Sequence, residues 1–134
     1  MATLQELLNS KYPTQAEKEQ VKEIKGGAKD IEGGELDLRA YQNLEKIMID
    51  WHSLKGPLIK LELGSHSKLT RLNVKNNQLI DLNVSGCSEL VHFSASFNKL
   101  TSVDFLKQLP HPEKLKSLNI ARNNFQSTTL DFLN

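Results

Sequence analysis

One spaced pattern of apolar residues dominates the sequence and occurs five times between residues 21 and 125. In each copy, apolar residues are expected at the first, fourth, sixth and eleventh positions, and Asn at the ninth. The copies begin at Val21, Leu44, Leu69, Leu90 and Leu115. Of the 25 positions, 22 fit, and the exceptions are Gly26, Lys29 and His52. Such regularity, in a chain with 22 Leu among 134 residues, predicts stacked turns rather than one irregular core.

The spacing inside each copy predicts a short strand followed by a turn. The fourth and sixth positions are apolar and the fifth is not, which is the alternation of a strand with one buried face. An Asn at the ninth position can bond the backbone groups that a tight turn leaves unpaired. We therefore expect a ladder of turn-stabilising amides at Asn77, Asn98 and Asn123. His52 mimics this role only in part and Lys29 does not, so the first turns are expected to be looser or covered by the N-terminal segment.

A second alternation follows each turn, and it predicts extended segments on the opposite, convex side. These segments are 36–38, 61–63, 82–84 and 103–105. Too few residues remain between copies for long helices. In the fourth copy, residues 106–109 predict one helical turn that ends at Pro110.

Residues 1–24 differ from the repeats and predict a helical cap within the same domain. Leu4, Leu7 and Leu8 have helical spacing, and Pro13 ends that helix. Thr14 and Glu17 then have the spacing of a capping box, which predicts a second helix that runs to about Glu23.

The repeated pattern, with copies 21–25 residues long, resembles that of leucine-rich-repeat proteins of the intracellular type. The resemblance implies an α/β solenoid, a curved right-handed superhelix with short parallel strands on its concave side. Five repeats would occupy residues 21–134, the last apparently truncated. It also implies a recognition or scaffold module that binds a protein or peptide on the concave face.

Two alternatives to a free-standing binding module stay open. Similar repeats accompany kinase-like and other signalling domains, so the chain is also interpreted as a regulatory fragment of a larger signalling protein. The final repeat lacks a polar capping element, so self-association through that edge is the other alternative.

Outward residues of the predicted strands and their exits are the candidate partner-binding residues. They are Lys46, Met48, Asp50, Trp51, Arg71, Asn73, Lys75, His92, Ser94, Phe97, Asn119 and Arg122. Trp51 and Phe97 precede the ninth position, where a large ring gains little burial, and exposed aromatic residues often anchor interfaces. Alternatively, Trp51 packs under the N-terminal cap and Phe97 covers a neighbouring turn.

The basic members of this set suggest a second hypothesis. Lys46, Arg71, Lys75 and Arg122 would form a strip suited to an acidic or phosphorylated partner. The competing interpretation is an ordinary solvated face on which Glu23 and Asp50 are interspersed.

Several function classes are disfavoured by composition and spacing. The net charge of +1 gives no reason to expect nucleic acid or an anionic membrane, and no apolar run is long enough to span a bilayer. Four scattered His residues predict no metal site, and no nucleotide motif predicts a cofactor. His92 has Ser94 and Ser96 near it but no orienting Asp, so we expect no enzyme. Cys87, the single cysteine, is expected to be a buried filler in a cytoplasmic protein without a signal peptide.

Overall fold

A computed structural model describes residues 2–26, 31–50 and 54–125. Its main feature is a five-stranded parallel sheet in which each strand comes from a successive copy of the repeat. The strands are β1 (Glu23–Lys25), β3 (Lys46–Met48), β5 (Arg71–Asn73), β6 (His92–Ser94) and β7 (Ser117–Asn119). The fourth position of the repeat is buried at the centre of the first four strands, at Ile24, Ile47, Leu72 and Phe93. The described residues therefore form a parallel-strand solenoid of about four turns, which confirms the solenoid architecture of the prediction.

The segments after each turn take three different forms. Strands β2 (Glu32–Asp37) and β4 (Gly56–Glu62) pair in parallel as a second sheet and include most of the first two predicted segments. Leu82 and Val84 are buried without forming a strand. At 103–105 the expectation of an extended segment is wrong, because helix α3 (Asp104–Lys107) already begins there. The predicted helical turn thus starts two residues early, and a 3₁₀ helix follows at Pro112–Lys114.

Two short helices precede the first repeat. Helix α1 (Leu4–Lys11) buries Leu4 and Leu8, and a full capping box joins Thr3 to Glu6. Helix α2 (Gln15–Glu19) is capped by the Thr14 hydroxyl, which accepts a bond from the Glu17 amide at 3.1 Å.

Helix α2 ends four residues before the predicted Glu23, which instead begins β1. Val21 and Ile24 occupy the first and fourth positions of the repeat and are both buried. Parallel pairing of Glu23 with Lys46 fixes this stretch as a strand, so tertiary pairing overrides the local helical signal. The helices are held against the repeats by hydrogen bonds, including one in which the Asp37 amide donates to Gln5 Oε1 at 2.6 Å.

The ninth-position Asn residues join neighbouring turns. The Asn98 side chain is buried, and its Nδ2 donates to the carbonyls of Val74 in the preceding turn and Ala95 in its own, both at 3.0 Å. Its Oδ1 accepts from the Leu79 amide at 3.1 Å. Asn77 and Asn123 make the equivalent bonds. Lys29 and His52, the two non-Asn members, lie outside the described residues.

The hydrogen bonds reassign the last apolar position of the second repeat. Leu79 and Leu100 hold the eleventh position of the third and fourth repeats, and their amides donate to the ladder Asn of the following turn. In the second repeat, the amide that donates to the ladder Asn of the following turn, Asn77, is that of Leu58, at 2.8 Å. The position therefore belongs to Leu58 and not to Leu54, four residues earlier. Leu54 is also buried, so the second repeat contains an insertion that the apolar pattern conceals.

Three unlike side chains occupy one equivalent buried position in successive turns. Tyr41, His66 and Cys87 each stand three residues before the first Leu of a repeat, and all three are buried. Burial raises the pKa of the Cys87 thiol to about 12, so this cysteine is an unreactive filler. Neither ring nitrogen of His66 has a hydrogen bond of good geometry among the described residues. Burial lowers the pKa of His66, and the nearby Tyr41 backbone opposes that shift only in part.

Burial of a neutral His66 predicts that stability falls with acidification. Its folded-state pKa lies below the unfolded value of about 6.5, so the unfolded chain binds the extra proton first. The stabilisation is complete above about pH 6.5 and is lost as the pH falls towards the folded pKa, at up to about 1.4 kcal/mol per pH unit. Urea unfolding between pH 5 and 7.5 measures this slope.

His66→Leu should remove most of this dependence of stability on pH, because Leu keeps the site apolar and cannot titrate. His111→Gln is the control, because the exposed His111 ring lies beside Glu113 and is not buried. Equal pH slopes for the wild type and His66→Leu would contradict the prediction.

Candidate binding surface

The solvent-facing side of the five-stranded sheet, here called the sheet face, arranges its side chains in rows across the strands. The strand register places one row at Glu23, Lys46, Arg71, His92 and Ser117. It places a second row at Lys25, Met48, Asn73, Ser94 and Asn119. Residues that the repeat alignment expected to face outward together therefore do lie side by side, about 5 Å apart from strand to strand.

A polar depression of about 230 Å³ lies on β5, β6 and β7. Its polar lining residues are Arg71, Asn73, Lys75, His92, Ser94, Ser117 and Asn119. His92 Nδ1 and Ser117 Oγ are 2.7 Å apart, which joins the last two strands across the surface. Six of the predicted partner-binding residues thus converge at one place: Arg71, Asn73, Lys75, His92, Ser94 and Asn119.

Charge is unevenly compensated on the sheet face. Lys46, Arg71, Lys75 and Arg122 form no ion pair within 4 Å in the part of the chain that the structure describes. Of the acidic groups, Glu23 lies on β1, 3.4 Å from Lys25, whereas Asp50 lies beside the exit of β5. Asp50 accepts from Asn76 Nδ2 at 3.3 Å.

The charged cluster on β2 and β4 behaves differently. Arg39 contacts Asp37 at 2.7 Å and Glu62 at 3.1 Å, and Lys60 contacts Glu62 at 3.2 Å. The hydrogen bonds from Arg39 lower the pKa of Asp37. The charged groups of that cluster pair with one another, whereas Arg71 and Lys46 have no ion pair among the described residues and are available to a ligand.

The residues where β5, β6 and β7 exit the sheet share a rare backbone conformation. Asn76, Phe97 and Arg122 have φ values of 58°, 55° and 60°. This left-handed region suits Gly and Asn but is costly for residues with large side chains. Phe97 is nevertheless 54% exposed. Trp51, the equivalent residue of β3 and the other predicted aromatic anchor, lies outside the described residues.

The His92–Ser117 pair resembles a base and nucleophile, but no orienting carboxylate lies beside it among the described residues. Among the described residues, no carboxylate bonds to His92 Nε2, and the outward positions of β5, β6 and β7 contain no Asp or Glu. An imidazole with no orienting acid is a weak base towards serine. The described ranges also contain no group of three or more His, Cys, Asp or Glu side chains arranged for a metal ion.

Sequence reasoning missed two exposed apolar features. Ile59 and Ile80 follow Leu58 and Leu79 in successive turns, and both are at least half exposed. The apolar pattern did not show that Ile59 and Ile80 are equivalent, because it assigned Leu54, and not Leu58, to the eleventh position of the second repeat. Leu118 is 40% exposed beside an apolar cavity of about 580 Å³ that α3 and β7 border.

Comparison with protein-family models gives no match, and no curated protein is significantly similar to this chain. Across residues 2–26, 31–50 and 54–125, no helix is long and apolar enough to cross a membrane. Evidence for function therefore comes from the solenoid itself and from the geometry of the sheet face.

Proposed function

We propose that this chain is a leucine-rich-repeat recognition module that binds a protein or peptide through the sheet face and has no enzymatic activity. The parallel solenoid and the buried amides of Asn77 and Asn98 support the repeat assignment. Helices α1 and α2, which bond to the first turns, would form its N-terminal cap. A buried, unreactive Cys87 as the single cysteine supports a cytoplasmic location, where thiols stay reduced.

The observation that carries the proposal is the placement of Phe97. A large side chain in the left-handed region costs about 1–2 kcal/mol, and here the ring gains little burial in return. Such strain is tolerated where it serves a function, and exposed aromatic rings are frequent anchors of interfaces. Phe97 stands at the exit of β6, three residues beyond Ser94, which lines the polar depression.

Phe97→Asn should make the protein more stable and a weaker binder. Asn already occupies the equivalent left-handed position at Asn76, so the substitution relieves strain. We expect the melting temperature to rise by about 3–5 °C, corresponding to about 1 kcal/mol. The affinity for a peptide selected from a random phage-displayed library should fall at least tenfold. Thermal unfolding and fluorescence anisotropy measure the two effects.

Ile80→Asn is the matched control, since Ile80 is 63% exposed but lies away from the sheet face. It should leave peptide affinity unchanged. If Phe97→Asn instead lowers the melting temperature, the ring packs against the fold and the interface proposal fails.

Self-association through the last described turn is a second candidate, favoured by the exposure of Leu118. Strand β7 is the outermost strand of the described sheet, and Leu106, Leu109 and Leu115 border the apolar cavity beside it. Light scattering over a hundredfold concentration range tests this candidate. A dimer that Leu118→Lys dissociates would support it, and a monomer throughout would exclude it.

A further inference from the structure

We infer that the partner presents an acidic peptide segment whose carboxylates bind the polar depression on β5, β6 and β7. The inference rests on the proposed function and specifies the chemistry of the partner. It follows from the sign of the charge at this site, from whether its neutral side chains offer donors or acceptors, and from the exposed Phe97 at the exit of β6.

The sign of the charge is the first argument. Every charged side chain that the depression exposes is a cation, Arg71 and Lys75 being its two permanent charges. Lys46 stands next to Arg71 in the strand register and is exposed. Arg71 offers a planar fork of donors that matches a carboxylate, and neither it nor Lys46 has an ion pair among the described residues.

The second argument is that the neutral amide side chains of the depression offer hydrogen-bond donors to a ligand. Asn73 Oδ1 already accepts from the Lys75 amide at 3.2 Å, and Asn119 Oδ1 accepts from the Ala121 amide at 3.1 Å. Each amide oxygen therefore already accepts one bond within the protein, whereas each Nδ2 remains as a donor without a partner in the described structure. A site whose neutral groups offer donors is complementary to an acceptor-only ligand such as a carboxylate.

A peptide fits this site better than a nucleic acid does. Among the described residues Phe97 is the one large exposed ring, whereas binding of single strands uses several rings on which successive bases stack. The net charge of +1 also gives no general attraction for a polyanion. The expected ligand combines carboxylates near Arg71 with an apolar side chain against Phe97.

Peptides selected by the full chain from a random phage-displayed library test the inference. We expect the selected sequences to be enriched in Asp and Glu beside an apolar residue. A synthetic copy of one such peptide should lose at least tenfold in affinity when its acidic residues are replaced by Asn and Gln. It should lose a similar factor with Arg71→Gln and less with Arg71→Lys.

Lys68→Gln is the matched control, because Lys68 is an exposed cation outside the sheet face. It should leave the affinity unchanged, and the melting temperatures of the Arg71 and Lys68 variants should stay within about 2 °C of the wild type. If the selected peptides are not acidic and bind Arg71→Gln normally, but still depend on Phe97, the inference fails and the proposed function stands. If no peptide is selected, or if none depends on Phe97, both fail. Tighter, Arg71-dependent binding of a random RNA 20-mer would also overturn the assignment.

Discussion

Asn98→Ala is expected to lower the free energy of unfolding by about 1–3 kcal/mol, since it leaves one backbone amide without an acceptor and removes one donor from carbonyls that keep a second one. The Leu79 amide loses its acceptor, and the carbonyls of Val74 and Ala95 lose a donor. Asn98 is only 7% exposed, so solvent has little access to the groups that lose these bonds. Urea unfolding followed by circular dichroism measures the loss.

Asn83→Ala is the control for this prediction, because Asn83 is exposed and bonds only to Ser85 in its own turn. It should change stability by less than about 0.5 kcal/mol. Asn123→Ala should fall between the two, because Asn123 makes the same bonds but is only half-buried. Similar stabilities for Asn98→Ala and Asn83→Ala would show that the ladder does not stabilise the fold.

Gly86→Ala is expected to be the most destabilising of the small substitutions, by about 3 kcal/mol or more. A Cβ at this position would lie 2.2 Å from the Gly64 carbonyl oxygen and 2.9 Å from Ser65 Cα. Both obstacles are backbone, so no side-chain rotation relieves the overlap. The Gly86 carbonyl also accepts from the His66 amide at 2.9 Å, so a backbone shift would break a bond between turns.

Gly56→Ala provides the contrast, because a Cβ there meets nothing within 4 Å and the residue does not have a positive φ. It should be neutral or slightly stabilising, through lower entropy of the unfolded chain. Thermal unfolding of the two variants separates crowding from the general effect of losing a glycine. A melting temperature for Gly86→Ala equal to that of Gly56→Ala would contradict the close approach of the two turns.

The sheet was predictable because its side chains repeat. Spacing alone placed Ile47, Leu72 and Phe93 at the centres of strands and aligned Lys46 with Arg71 and His92 in register. Spacing did not distinguish Leu54 from Leu58, because both are apolar and buried and only the bond to Asn77 separates them. The predicted end of helix α2 failed for a related reason, since pairing between turns decided where β1 begins.

The candidate site was predictable in composition but not in geometry. The alignment placed Ser117 in the same row as His92, yet nothing in the spacing showed that their side chains bond at 2.7 Å. The left-handed backbone of Phe97 was also hidden, because Phe seldom adopts it and no Gly marks the turn. Contacts across turns and backbone dihedrals depend on the assembled fold, which a pattern of apolar positions does not encode.

The parallel register also couples ligand binding to the local opening of the turns. In a solenoid each turn touches only its neighbours, so the stack can open from an end without disturbing the middle. A peptide that contacts Arg71, His92 and Ser117 together would connect three successive turns. Each Asn of the ladder bonds only two neighbouring turns. Occupancy would then slow hydrogen exchange most at β7, because this strand pairs with only one other strand of the described sheet.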